Sequence, residues 1–508
     1  MATQEAQGGS ATADETFTPA PGSLLEKIMK EGNMARDPMQ NTHARDLIAE
    51  FAAQVLDEGM VVSRDTAAMI NSRISQIDQL ISDQLNEVMH SPDFQKLEAS
   101  WRGLAYLVQV VQGIANAKLR LLTASWRELA GDLDRAVEFD QSRLFRLVYS
   151  DEFDMPGGEP FGLIVGDYAV AHLPSPDCPT DDVNALRSIA AVAAAAFCPF
   201  VTACRPSLLG LDHFADLDLL PDLASANSGP DFMRWQALRS LADARFLGIV
   251  LPRVLLRLPY RGHDRSRVDG FAFREEICAS GEELLWGNAA FAFAGVVLRS
   301  FDRSGWFADL RGAPEDSEGG GLVTDLPSLS FAIDRPGIAV QPPVEFRLGS
   351  AQERMISELG LIPVSPVNYT PFLVFNSNSS LHRSMSYDRP AAAQNAKLSA
   401  MLQYVLCASR LAHHMKGKMR DQIGRLVSAP ALEQMLSEWL SQYCLGNDEA
   451  AADIKARFPL RAAQVRVAEV PGRPGVLSCV LHLQPHFQLD DVSATFHLVT
   501  EVATVAAA

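Results

Sequence analysis

"VMHSPDFQKLEASWRGLAYLV", residues 88–108, decides how the chain is read. Ser91 stands where an N-cap belongs, and Pro92 takes the first helical position, where a missing N–H costs nothing. Phe94, Leu97, Trp101, Leu104, Val108 and Val111 then recur at intervals of 3, 4, 3, 4 and 3. That is one face of an α-helix. Upstream, Ile70, Ile74, Ile77, Ile81, Leu85 and Val88 recur at 4, 3, 4, 4 and 3. The two runs predict a pair of helices over residues 66–117, closed on each other as a hairpin along an apolar seam.

Toward the N-terminus, "GMVVSRD" (59–65) is a short β-like run. A helix is expected over 42–58, with Leu47, Phe51 and Val55 on one face. "SLLEKIMKEG" (23–32) is a compact helix: Ser23 and Glu26 make a capping box, Leu24/Ile28 and Leu25/Met29 pair at i,i+4, and Gly32 is a stop. It is shorter than the roughly 12–15 residues at which an isolated helix holds in water. Residues 1–22, rich in Ala, Gly, Ser, Thr and Pro, are expected to be disordered.

Toward the C-terminus the texture becomes mixed. "KLRLLTA" (118–124), "FGLIVGDY" (161–168), "FLGIVLPRVLLRL" (246–258) and "GVVLRSF" (295–301) read as strands, with helices at 182–197 and 232–243. Residues 312–327, Pro342–Pro343 and Pro363–Pro366 read as connections. A long helix is expected over 390–425 and another over 432–444, followed by strands in 462–470, 475–485 and 493–502. The fold class is α/β in the mixed α+β sense. The segments are a tail (1–22), an arm of helix and strand (23–65), the hairpin (66–117), a central α/β region (118–380) and C-terminal helices with a β-sheet (381–508).

The 508 residues allow roughly three domains at about 150 residues each. A net charge of −18 argues against nucleic acid as a partner, since phosphate binding needs basic surface. Seven scattered cysteines, an odd number, read as reduced core thiols of a cytoplasmic protein. The N-terminus has no signal-peptide pattern, and no apolar run reaches the length of a membrane span, so direct membrane insertion is not expected.

Reactive constellations are scarce. "GGEPFGL" (157–163) has Leu163 where a phosphate-binding loop needs lysine. Cys479, His482 and His486 have metal-like spacing, but in a strand 479 and 482 point to opposite faces. His413–His414, adjacent on a helix, diverge by about 100° and suit packing. "RGHDRSRVDGFAFRE" (261–275) reads as a solvated loop. Asp181–Asp182 and Asp490–Asp491 read as cap or loop residues. No catalytic, metal or cofactor site is assigned.

The quoted stretch resembles the large sheath subunit of the type VI secretion system, the VipB/TssC family. So do "PFGLIVGDY" (160–168), "LLWGNAAFAFA" (284–294), "GWFADLRG" (305–312) with "GGGLVTDLP" (319–327), "SELGLIPV" (357–364), "LCASRLAHHMK" (406–416), and "PHFQLDD" (485–491) with "LVTE" (498–501). The resemblance runs in order from about residue 24 to 502. It implies a structural protein with no enzymatic activity. Such a subunit pairs with a small sheath subunit of the VipA/TssB type and polymerises into a cytoplasmic helical tube. The tube surrounds an inner tube of hexamers above a baseplate, and contracts to drive that inner tube outward. The resemblance also implies that Met60, Val61, Val62 and Ser63 form a strand added to a neighbouring subunit's sheet. The receiving sheet would be near Val480, Leu481, Leu483, Phe496, Leu498 and Val499. Leu24, Leu25, Ile28 and Met29 match the segment bound by a ClpV-type AAA+ unfoldase. Two alternatives remain: a sheath subunit of another contractile injection apparatus, and a cytosolic α/β enzyme using Cys479, His482 and His486 for a metal.

Overall fold

Phe200–Cys204 and Leu247–Leu251 are buried at every position. Strands read this way when a parallel sheet is covered on both faces. A computed structural model describes, with short breaks, residues 66–260, 271–313, 319–330, 340–422, 428–469, 476–486 and 496–503, and positions 42, 45–46 and 49–50, which are helical. The opening helix (Leu24, Leu25, Ile28, Met29), the strand arm (Met60, Val61, Val62, Ser63) and Asp490–Asp491 lie outside the described residues. The chain divides into two compact units, residues 1–83 and 84–508.

Helix α1 spans Thr66–Met89 and α2 spans Pro92–Val111, where the apolar spacing puts them. Ser91 is the N-cap of α2, but its side chain makes no capping hydrogen bond, and Pro92 marks the start. Most of the apolar residues expected along the seam are exposed. Ile74, Ile77 and Ile81 are exposed, and so are Val88, Phe94, Leu97, Trp101 and Val108. The physical reason on α2 is a second apolar face, made by Gly103, Tyr106 and Leu107, which is the one buried. Residues 118–124, read as a strand, form no helix or strand and pair with none among the described residues.

Helix α3 (Trp126–Arg135) opens on a complete capping box between Ser125 and Glu128. A π-helix follows at Arg146–Phe153. Then β1 (Ile164–Val170), α4 (Asp182–Ala195), β2 (Phe200–Cys204), α5 (Met233–Ser240) and β3 (Leu247–Leu251) form two successive β–α–β units. Next come β4 (Val254–Leu255), β5 (Trp286–Gly287) and helix α6 (Ala289–Ser304). Short strands β6 (Leu322–Val323), β7 (Leu329–Ser330) and β8 (Val340–Gln341) lead to α7 (Ser350–Glu358). Strands β9 (Ile362–Pro363), β10 (Ser365–Pro366) and β11 (Leu373–Val374) follow.

The main sheet has the order β1-β2-β3-β9 with every pair parallel. Its period of two sorts side chains between cores. Phe200, Cys204, Leu247, Ile249 and Leu251 pack with Leu186 and Ile189 of α4. Val201, Val250 and Ile362 face the other way, toward Phe293 of α6 and Tyr106 of α2. Pro363 and Pro366, read as connection residues, each close a two-residue edge strand, where a missing N–H removes no ladder bond.

"GVVLRSF" is not a strand but the second half of α6. The valine pair suggests β structure, yet the caps decide. Asn288 Oδ1 accepts from the Ala290 N–H at 2.8 Å, and Gly305 ends the helix at φ 74°. A Cβ on Gly295 would collide with the Tyr106 ring, and one on Gly103 with the Phe291 ring, so these two glycines let α2 and α6 meet closely.

The long helix expected over 390–425 is two helices, α8 (Pro390–Ser399) and α9 (Leu402–Arg420). The backbone between them bonds outward. The Leu402 N–H donates to Asn378 O at 2.8 Å and the Ser380 N–H to Ala400 O at 3.0 Å. Helices α10 (Ala429–Ser441) and α11 (Ala452–Arg457) precede the antiparallel sheet β12 (Leu460–Glu469), β13 (Val476–Pro485) and β14 (Phe496–Ala503). Leu411, Met415, Leu432 and Leu436 pack against Leu477, Cys479, Leu481 and Leu483 as a third core.

Candidate assembly surfaces

The C-terminal sheet holds all six residues that the resemblance places there. Val480 faces Val499, Leu481 faces Leu498, and Leu483 faces Phe496 across the β13–β14 ladder. The order is β12-β13-β14, so β13 is paired on both sides. Val480, Leu481 and Leu483 therefore offer no open backbone to an incoming strand. Among the described residues, β14 pairs on one side only, which leaves an edge at Phe496, Leu498 and Val499.

A second surface lies on α2. Phe94, Leu97, Trp101 and Val108 are 39%, 56%, 59% and 53% exposed. With Val88 and Asp93, the first two line a hollow of about 510 Å³ at the helix start. Leu119, Leu121 and Leu122 of the segment at 118–124 are exposed as well. That segment is fixed from its polar side, by Lys118 to Glu159 and Arg120 to Glu152. The sequence reading used up the α2 stripe as a hairpin seam and so missed it as a surface. The signal was present in Gly103, Tyr106 and Leu107, because a helix apolar on two faces has two partners.

Charge is buried at the root of α2. Arg257 donates to Glu275 through both terminal nitrogens, and its Nε lies 2.9 Å from Glu98. The Tyr260 N–H also donates to Glu275 at 2.9 Å, and His90 Nε2 lies 3.5 Å from it. Burial alone would raise the Glu275 carboxyl, but the Arg257 and Tyr260 hydrogen bonds outweigh it and hold the pKa below the ordinary value. Glu275 ends the stretch read as a solvated loop, so that end is core, while residues 261–270 lie outside the described residues.

The remaining candidates resolve into structure. Cys479 is fully buried in the third core, and His482 falls on the opposite parity of β13, against Gln464 and His497. Burial pushes the Cys479 thiol up to about 11. Among the described residues, no group of three His, Cys, Asp or Glu side chains is placed to hold a metal. His413 bonds Ala196 O at 2.9 Å, and His414 packs near Trp306 and Trp439. Asp181 caps α4, while Asp182 accepts from Trp126 Nε1 at 2.6 Å and the Ala171 N–H at 3.0 Å. Cys278 is the exposed thiol among seven free cysteines. Among the described residues no helix is long and apolar enough to cross a membrane.

The described residues thus hold a parallel sheet, a separate C-terminal sheet whose β14 pairs on one side, and a helix α2 with an exposed apolar stripe. The comparisons name the class. Residues 71–382 match the EvpB/VC_A0108 tail sheath N-terminal domain, and residues 391–502 match the EvpB/VC_A0108 tail sheath gpW/gp25-like domain. The chain belongs to the VipB/TssC family of type VI secretion system sheath proteins. It is 33% identical over 506 residues to the type VI secretion system sheath protein TssC1 of Pseudomonas aeruginosa, covering 99% of this chain and 98% of that protein. Among solved structures, a sheath tail protein of Desulfitobacterium hafniense aligns with a TM-score of 0.30 at 12% identity, over 66% of this chain and 57% of its own. The contracted helical sheath of the anti-feeding prophage aligns with a TM-score of 0.27 at 11% identity, over 64% of each chain.

Proposed function

We propose that the chain is the large, structural subunit of a contractile type VI sheath. It pairs with a small sheath subunit and polymerises as a cytoplasmic helical tube around inner-tube hexamers on a baseplate. It carries no catalytic site, and its work is a conformational change of the assembled tube. The observation that supports this reading is the C-terminal sheet, in which β14 pairs on one side only among the described residues. Met60, Val61, Val62 and Ser63 of a neighbour would add there by main-chain pairing. Main-chain pairing can persist while rigid bodies turn. The α2 stripe suits the small subunit, because interfaces of permanent pairs are the more hydrophobic kind. Leu24, Leu25, Ile28 and Met29 would serve a ClpV-type unfoldase after contraction.

One co-expression experiment with the small subunit tests all three surfaces. Leu97→Glu with Trp101→Glu should abolish the heterodimer. Val61→Pro with Val62→Pro removes the ladder donor whichever of the two N–H groups faces β14, and should keep heterodimers while electron microscopy finds no tubes. Leu25→Glu with Ile28→Glu should keep both and lose capture by the unfoldase. Tubes of normal length from the proline variant would sink the strand-addition reading.

A further inference from the structure

The outer side of β12 is occupied near both of its ends. The strand pairs with β13 on one side. On the other, the Leu445 N–H donates to Leu460 O at 2.8 Å and the Leu460 N–H donates to Tyr443 O at 3.2 Å. Toward the far end, the Val467 N–H donates to a carboxylate oxygen of Glu433 on α10, at 2.8 Å. A helix side chain thus holds a main-chain donor that a further strand would need. Val467 stands opposite Cys479 in the β12–β13 ladder. Glu433 lies close enough that its charge adds, after burial, to the rise of the Cys479 thiol.

The core fixes Glu433 in this place. Leu432 and Leu436 of α10 are buried with Val465, and Ala463 and Val467 pack against the same cluster. Strand parity turns the N–H groups of Ala463 and Val465 the same way as that of Val467. An incoming strand would therefore meet a run of outward positions whose first and last donors, at Leu460 and Val467, are already spent. Composition separates the strands as well. In β12 (LRAAQVRVAE), Arg461, Arg466 and Glu469 are charged and exposed, whereas in β14 (FHLVTEVA) Glu501 is the one acidic or basic residue besides His497. Charged side chains discourage pairing of one edge strand with another.

We propose that Glu433 closes the β12 edge against a second copy of this chain, so that main-chain addition is left to β14. The strand kept out is the β12 of another copy, which would pair with this one antiparallel about a two-fold axis. A chain that polymerises meets its own edges at high local concentration, and identical edges are self-complementary. The role left to β14 rests on the strand-addition reading, while the closure of β12 is measured without it.

Hydrogen–deuterium exchange and sedimentation velocity on the full chain test it. In Glu433→Ala, exchange in the peptide containing Val467 should quicken at least tenfold at low protein concentration, with the far-UV circular dichroism of the wild type. As concentration rises, the variant should form dimers where the wild type gains no mass. Glu433→Gln keeps a carbonyl acceptor and should match the wild type in both measurements. Glu433→Ala with Val467→Pro removes the donor itself, at a position whose N–H faces away from β13, and should return to the wild-type mass. Unchanged exchange in Glu433→Ala overturns the proposal. So do dimers that persist with Val467→Pro, and a Glu433→Gln protein that dimerises like Glu433→Ala. Adding Val61→Pro with Val62→Pro to Glu433→Ala should leave its dimers intact. Dimers lost with those prolines would belong to the strand arm and also overturn it, whereas loss of tubes in the proline variant alone bears on strand addition and not on this edge.

Discussion

Arg257→Ala is expected to cost about 3–5 kcal/mol of stability, the range for removing one partner of a buried ion pair. Side-chain exposure is 7% for Arg257 and 1% for Glu275, so water cannot replace the lost guanidinium. Glu98 would lose a partner at the same time. The measurement is a urea melt, read as a lower midpoint at unchanged slope. Arg257→Met with Glu275→Leu should recover part of the loss, because an apolar pair leaves Glu275's charge out of the core. The sign with pH also follows. The Glu275 pKa is lowered in the folded protein, so its contribution is present above the ordinary carboxylate pKa and lost as pH falls through the folded value. The gap between Arg257→Ala and the wild type should therefore narrow in acid. A loss under about 1 kcal/mol at neutral pH would place the pair with surface salt bridges instead.

What the sequence made legible follows from which signals are local. The 3,4-spacing of Phe94–Val111 places α2 correctly because helical periodicity is a property of the segment itself. The alternation in β13 likewise places Cys479 on the core side and His482 on the other. The errors are all tertiary. Which apolar face of α2 is buried depends on Phe291 lying opposite Gly103, nearly two hundred residues away. The valines of "GVVLRSF" have β propensity, but the Asn288 cap and the packing of Tyr106 on Gly295 make the segment helical. The break between α8 and α9 is made by Asn378 and Ser380, which no local pattern announces. The candidate site divides the same way. The sheet is readable from its strands, whereas the one-sided pairing of β14 among the described residues emerges only from the strand order.

A second large effect concerns acid. His413 on α9 lies 2.9 Å through Nε2 from the Ala196 carbonyl, and its ring packs 5.4 Å from the Phe153 ring. Burial pushes its pKa down to about 4, against a favourable hydrogen bond to Ala196, and the positive charges of Arg410 and Lys416 and the neighbouring His414 add to the cost of protonation. The folded protein thus keeps His413 neutral, with Nε2–H as the donor, where the unfolded chain binds a proton below about 6.5. Between those values the unfolded state holds the extra proton, so stability falls as pH falls. At about 1.4 kcal/mol per pH unit, the window from about 6.5 to about 4 carries roughly 3 kcal/mol. His413→Gln keeps an N–H donor for Ala196 and cannot titrate. Urea melts of the two proteins across pH 4 to 7 should therefore give a curve for the wild type that is steeper by about one proton. His172, His382 and His414 are also held low by burial and act in the same direction. They are common to both proteins and cancel in the difference. Parallel curves would mean that His413 charges freely in the folded state, and that the contact between α9 and the end of α4 opens in acid rather than resisting it.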